Sequence, residues 1–206
     1  MKKSSLSLLI CMLLVVTGCA NQEYFIKNDK YLKDNNLRIK QIALLPFDGE
    51  ANFGKEVSDA FAMNLVNDLK TSEIKILPPS AARVVMEERK ISLTLGDDAQ
   101  RSKAAQRLAQ LLHADAVMMG ELNSNRIGSP LKGIVTAKLL DTKTGETIAA
   151  SHRESGSFFL AQSVQQCIMA AANNVKEDMV WAINESYIPV GAAPEKRSPW
   201  LFFLKR

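Results

Sequence analysis

The 206-residue chain predicts an α/β fold: one mixed sheet of about five strands, with helices packed against it in two or three layers. Three observations point there. Ile42-Ala43-Leu44-Leu45 is a short, wholly apolar run stopped by Pro46, as expected of a strand covered on both faces. Residues 54–70 and 157–186 instead carry apolar residues at helical spacing. Between residues 114 and 154, three strand-like segments are separated by turn-forming residues, which predicts an antiparallel meander.

Each element has its own signal. The first strand runs within Ile39 to Phe47 and, because Ile42-Ala43-Leu44-Leu45 is continuously apolar, is expected at the centre of the sheet. From Gly54 to Lys70, Val57, Phe61, Leu65 and Leu69 recur every four residues and share one face of a helix. Glu73 to Leu77 is a second strand ended by Pro78-Pro79, and Ser80 is placed to cap a helix that runs through Arg89. Gly96-Asp97-Asp98 punctuates before a helix carrying Ala104, Leu108, Leu111 and Leu112, with either Asp positioned to cap it. Ala114 to Leu122, Lys132 to Leu140 and Glu146 to Glu154 are the meander strands. Asn123 to Pro130 supplies one turn; Asp141 and Gly145, the latter able to take positive φ, supply the other. A final helix spans Ser157 to about Ser186, striped by Val164, Ile168, Ala171, Val175, Met179 and Ile183. One domain, residues 39–186, holds all of these. Residues 187–206 form a Pro-rich tail without periodicity, ending in Trp200-Leu201-Phe202-Phe203-Leu204-Lys205-Arg206.

The first 18 residues have the three parts of an export signal: Lys2 and Lys3, an apolar stretch from Leu6 to Val16, and small residues before Cys19. The stretch is shorter than the roughly 20 apolar residues of a membrane span. Val16-Thr17-Gly18-Cys19 resembles the lipobox of bacterial lipoproteins. That resemblance implies cleavage before Cys19, a diacylglyceryl group on its thiol and an acylated new amine; two or more acyl chains anchor a protein firmly, at about 0.8 kcal/mol per buried CH₂. Ala20 and Asn21 follow, and the absence of Asp at that second position implies sorting to the outer membrane by the same resemblance. Residues 20–38 are mostly polar and read as a spacer of at most roughly 65 Å at full extension. Tyr24, Phe25 and Tyr31 offer the alternative of docking on the domain.

Without residues 1–18 the chain has 188 residues, enough for one well-buried domain, and carries 24 Lys and Arg against 22 acids. That near-balance and the lack of a basic block ask for no nucleic acid partner. Cys11 leaves with the leader and Cys19 is the lipidation site, so Cys167 stays as a lone thiol within a helical apolar pattern, as a small core residue rather than a nucleophile.

Catalytic patterns are sparse. Gly49-Glu50-Ala51-Asn52-Phe53-Gly54-Lys55 matches most of a phosphate loop, G-x-x-x-x-G-K, yet Glu56 stands where a Ser or Thr must hold Mg²⁺, and Asp48 and Glu50 add negative charge. A nucleotide- or ligand-binding role built on this turn is the least favoured reading. His113 at a helix end and His152 in a strand read as structural, and Asp97 and Asp98 as caps rather than an acid and base pair. No HExxH, multi-histidine cluster or G-x-S-x-G elbow occurs. The chain is thus expected to be no enzyme and to take no cofactor or metal. Trp200, Leu201, Phe202 and Phe203, beside Lys205 and Arg206, suit a membrane interface, a groove on a partner or the chain's own domain.

Three pieces coincide in order: Ile42-Ala43-Leu44-Leu45-Pro46-Phe47-Asp48, Ala109-Gln110-Leu111-Leu112-His113-Ala114-Asp115-Ala116-Val117-Met118-Met119-Gly120, and Leu139-Leu140-Asp141-Thr142-Lys143-Thr144-Gly145-Glu146. With the lipobox they resemble the periplasmic domain shared by CsgG-type lipoproteins, LpoB-type synthase activators and the N-terminal domain of TolB, over about residues 39–183. The resemblance implies an α/β domain that acts through protein contacts: an assembly or accessory subunit of a secretion or surface-fibre complex, bound to the outer membrane and to envelope proteins, with homo-oligomers open. A pore of the CsgG type needs inserted hairpins, and the hairpins at residues 114–155 are needed by the sheet. An LpoB-like activator of a peptidoglycan synthase is the second reading, for which the spacer is short.

Overall fold

The computed structural model describes residues 23–29, 39–49, 53–69, 74–93, 97–125, 131–157 and 163–185. They build a seven-stranded mixed sheet: β1 Tyr24–Lys27, β2 Gln41–Leu44, β3 Asp48–Gly49, β4 Lys75–Leu77, β5 Ala116–Asn125, β6 Leu131–Asp141 and β7 Thr147–Ser157. The helices are α1 Gly54–Asp68, α2 Pro79–Arg89, α3 Asp98–Leu111 and α4 Val164–Glu185. Strand order is β1-β7-β6-β5-β2-β4, with β3 pairing β5 off that path. Parallel pairs join β2 to β4 and β5, and β3 to β5; antiparallel pairs join β5, β6, β7 and β1.

The sheet is the wall between two apolar layers. Ile42 and Leu44 of β2 join a cluster with Val57, Phe61 and Leu65 of α1 and with Ile168, Val175 and Met179 of α4. Ala43 and Leu45 point the other way, into a cluster with Ala82 of α2 and Ala105, Leu108 and Ala109 of α3. Side chains alternate across a strand, so a strand sandwiched between helix layers has to be apolar at every position. The meander behaves differently. Along β6, Gly133, Val135, Ala137 and Leu139 are buried under α4 while Lys132, Ile134, Thr136 and Lys138 are half-buried, because the helices of the second layer stop short of this half of the sheet.

Local chemistry sets the joints. Asp141 Oδ1 accepts the backbone N–H groups of Lys143 and Thr144, both at 2.7 Å, and Gly145 takes φ +75°, so the predicted Asp-to-Gly turn closes the β6–β7 hairpin. Asp97 caps α3 by accepting Gln100 N–H at 2.8 Å. Buried Ser58 accepts Phe47 N–H at 2.8 Å and donates to Gly54 carbonyl, tying the end of the first strand region to α1. At Gly133 a Cβ would lie 2.3 Å from Ile168 N, so only glycine lets α4 pack this close to β6.

Several boundaries differ from expectation. Ser80 does not cap α2: the helix starts at Pro79, with Pro78 before it and no side-chain cap, since a proline at the first helical position already has the right φ and lacks the N–H that would need an acceptor. The last helix begins at Val164 rather than Ser157, because β7 continues to Ser157 opposite Leu131. Ser163 and Gln166 form a reciprocal cap there, Ser163 Oγ accepting Gln166 N–H at 3.2 Å and Gln166 Oε1 accepting Ser163 N–H at 2.8 Å. The polar spacer is interrupted, since Tyr24–Lys27 pairs with β7. Two strands therefore join the five expected, β1 and the two-residue β3.

Candidate interaction site

Where α3 reaches the uncovered half of the sheet, a cleft of about 210 Å³ opens. Asp48, Asp98, Arg101, Glu121 and Lys138 give it its charges, and Tyr24 of β1 closes one side. Arg101 is the hub: its guanidinium nitrogens lie 3.2 Å from Glu121, 3.5 Å from Asp48 and 3.7 Å from Asp98, while Lys138 Nζ meets Asp98 at 2.5 Å. Three acids thus face two cations, a formal −1, and the cations are engaged with them. The guanidinium occupies the point on which the carboxylates converge. This arrangement fastens the first turn of α3 to β5 and β6 and leaves a polar, self-paired floor.

Behind Tyr24, His152 stacks on the phenol ring at 5.3 Å between centroids and 8° between planes. Its Nδ1 shares a hydrogen bond of 2.8 Å with Thr136 Oγ1. Its Nε2 is 3.9 Å from Glu154, beyond hydrogen-bond range, and Glu154 is taken by Lys132 at 2.9 Å. Thr136, His152 and Glu154 therefore lack the nucleophile, base and orienter geometry, while Tyr24, His152 and Thr136 act as a lock across β1, β7 and β6.

On the opposite face of the same strands, Asp178 of α4 accepts Ser151 Oγ at 2.6 Å, Arg153 Nε at 2.8 Å and Arg153 Nη2 at 2.9 Å; Arg153 also reaches Glu23 at 3.3 Å. The hydrogen bond to Asp178 raises the guanidinium pKa above its ordinary value, against the lowering by desolvation. This pair anchors the entry to β1. A second hollow, about 390 Å³, lies between α1, α2 and the β4 edge and is lined by Met63, Val66, Ile76, Pro78 and Pro79. Met63 and Val66 are 65% and 53% exposed.

Cys19 and Trp200, Leu201, Phe202 and Phe203 lie outside the described residues, as do the leader, Tyr31 and residues 126–130 of the loop after β5. Cys167 is fully buried in the α4 layer, as expected of a core residue. The phosphate-loop match is divided: Gly49 pairs with Leu122 in β3 at φ +108°, Gly54 and Lys55 open α1, and Asp48 is held by Arg101. His113 follows the end of α3 at φ +54°, and Asp98 is drawn into the cleft while Asp97 alone caps. Arg101, Glu121 and Lys138 escaped sequence reasoning. Their signal was parity, since Glu121, Thr136 and Lys138 fall in register on one face, but which helix meets that face is a tertiary fact.

The described residues thus define a three-layer α/β domain with one half-open sheet face. No model of a known protein family matches the chain, and no curated protein matches it. Among solved structures it is similar to the PelC dodecamer from Paraburkholderia phytofirmans, at TM-score 0.46 and 12% identity over 77% of this chain and 96% of that one. It is also similar to the LpoB C-terminal domain from Salmonella enterica, at 0.41 and 16% over 62% and 91%. TolB from Acinetobacter baumannii gives 0.39 and 10% over 80% of this chain and 32% of its own. The resemblance to CsgG rests on the sequence pieces alone. Among the described residues no helix is long and apolar enough to cross a membrane.

Proposed function

We propose that the chain is a lipid-anchored protein of the bacterial envelope, held to the outer membrane through Cys19 and acting by protein contact as an assembly or accessory subunit of a secretion or surface-fibre complex, with no catalysis of its own. The observation that carries this is Val16-Thr17-Gly18-Cys19 at the end of a basic and then apolar leader. The self-paired charges of the Arg101 cleft support the non-enzymatic part, as they offer no free acid and base pair. An LpoB-like activator of a synthase at the inner membrane needs reach, and β1 weighs against it. With Tyr24 already in the sheet, the leash from Cys19 is five residues, at most about 18 Å.

Two experiments test this. Cys19→Ser should abolish labelling by radioactive palmitate in growing cells, and continued labelling contradicts the anchor. Crosslinking in intact cells should recover outer-membrane proteins or copies of the chain; recovery of a bifunctional peptidoglycan synthase instead would favour the LpoB-like role.

A further inference from the structure

We infer that the β1 edge of the sheet rests on the membrane surface, with Tyr24, Ile26 and Trp181 at the level of the lipid headgroups and the β4 edge turned away. The inference rests on the Cys19 anchor proposed above and adds to it an orientation and a lipid-contacting surface.

Length decides the pose first. An acylated Cys19 keeps its backbone at the headgroups, so Tyr24 stays within about 18 Å of them. From β1 to β4 the sheet is six strands wide, five spacings of roughly 4.8 Å, or about 24 Å. With the β4 edge on the membrane, β1 would stand farther off than the leash allows. The inverted pose is excluded.

Side-chain chemistry then selects the edge over a helix layer. The one tyrosine and the one tryptophan among the described residues meet at this edge, Tyr24 in β1 and Trp181 on α4 where it packs against Phe25 of β1. These two residue types favour the boundary between lipid and water, where an apolar ring lies against lipid and its polar end stays wet. Phe25 packs edge-on against Trp181 at 5.3 Å, and Lys27 Nζ lies 4.5 Å over the same ring. On the other face of the strand, Tyr24 is 41% and Ile26 58% exposed. An exposed apolar edge strand invites unwanted strand pairing. A bilayer within reach of a five-residue leash covers it.

The test uses the full lipidated protein reconstituted in phosphatidylethanolamine and phosphatidylglycerol vesicles. Ile26→Cys and, separately, Met63→Cys carry an environment-sensitive fluorophore; Met63, on α1 beside the β4 edge, is exposed, and native Cys167 is buried. Lipids bearing a headgroup spin label should quench the fluorophore at position 26 several-fold more than at position 63. Equal quenching, or stronger quenching at 63, in protein that floats with the vesicles overturns the orientation and leaves the anchor standing. Failure to float overturns the anchor, and the orientation falls with it.

Discussion

Arg153 shows what a single residue demands of the fold. It lies in β7 on the face that α4 covers, and a guanidinium there has to be paired. Asp178 meets it and takes Ser151 as well, so replacing this carboxylate leaves three donor groups, on two residues, without their acceptor. Breaking a fully buried pair costs about 3–5 kcal/mol; Arg153 is 26% exposed, which discounts Asp178→Ala to about 2 kcal/mol. A fall in the urea midpoint at unchanged slope would measure it. Arg83→Ala, which breaks the more exposed Arg83–Asp59 pair, should stay within about 1 kcal/mol. Arg153 has a raised pKa in the fold, so its contribution is complete below the unfolded guanidinium value and is lost only as pH rises through the folded one; this group adds no pH dependence near neutrality. At this scale the sequence was readable where a residue's role is local. Cys167, placed by its own helical stripe, is in the core as expected. Asp178 was not singled out, because its partners are 25 and 27 residues away on another element.

Element signals were strongest where the chain itself supplies them. The five anticipated strands all form, and Asp97 caps α3 because an Asp just before the helix accepts the third N–H onward. Ser80 had the right residue type in the wrong place, since Pro79 starts the helix one position earlier. The two sites give a matched test: Asp97→Ala should cost about 1 kcal/mol, whereas Ser80→Ala, inside α2 and making no cap, should change stability by less than about 0.5 kcal/mol. Equal costs, read by thermal melts of the two variants, would mean that Ser80 takes part in a cap after all. β1 was hidden for a different reason. Four residues in a polar stretch form a strand only because Tyr24 pairs with His152, more than a hundred positions later, and nothing local announces that partner. β3 is hidden likewise, two residues past Pro46 held by Glu121 and Leu122.

At the scale of the whole molecule, the run Ile42-Ala43-Leu44-Leu45 was the most informative stretch. Its unbroken apolarity announced a strand between two layers, and its alternate side chains do divide between two separate apolar clusters. The layer order was less legible, because periodicity tells that a helix has an apolar face and not which side of the sheet receives it. This arrangement makes a claim about unfolding. Leu65 anchors the α1 and α4 layer and Leu108 the α2 and α3 layer, both fully buried, and the two never share a cluster. If each layer were its own folding unit, Leu65→Ala and Leu108→Ala would lower different transitions. But neither layer can keep its apolar face covered without β2 and β5, and those strands cannot lose one layer without exposing apolar side chains. Both variants should therefore move one and the same transition, each by about 3 kcal/mol, within the range for a buried Leu→Ala. In a Trp200→Phe background Trp181 reports on the α4 side alone, while far-ultraviolet circular dichroism reports on all helices. Coincident denaturation curves from the two probes in both variants would establish a single cooperative body. Curves that separate in Leu108→Ala, with the helix signal lost before the Trp181 signal, would show that the sheet fails to couple its two faces.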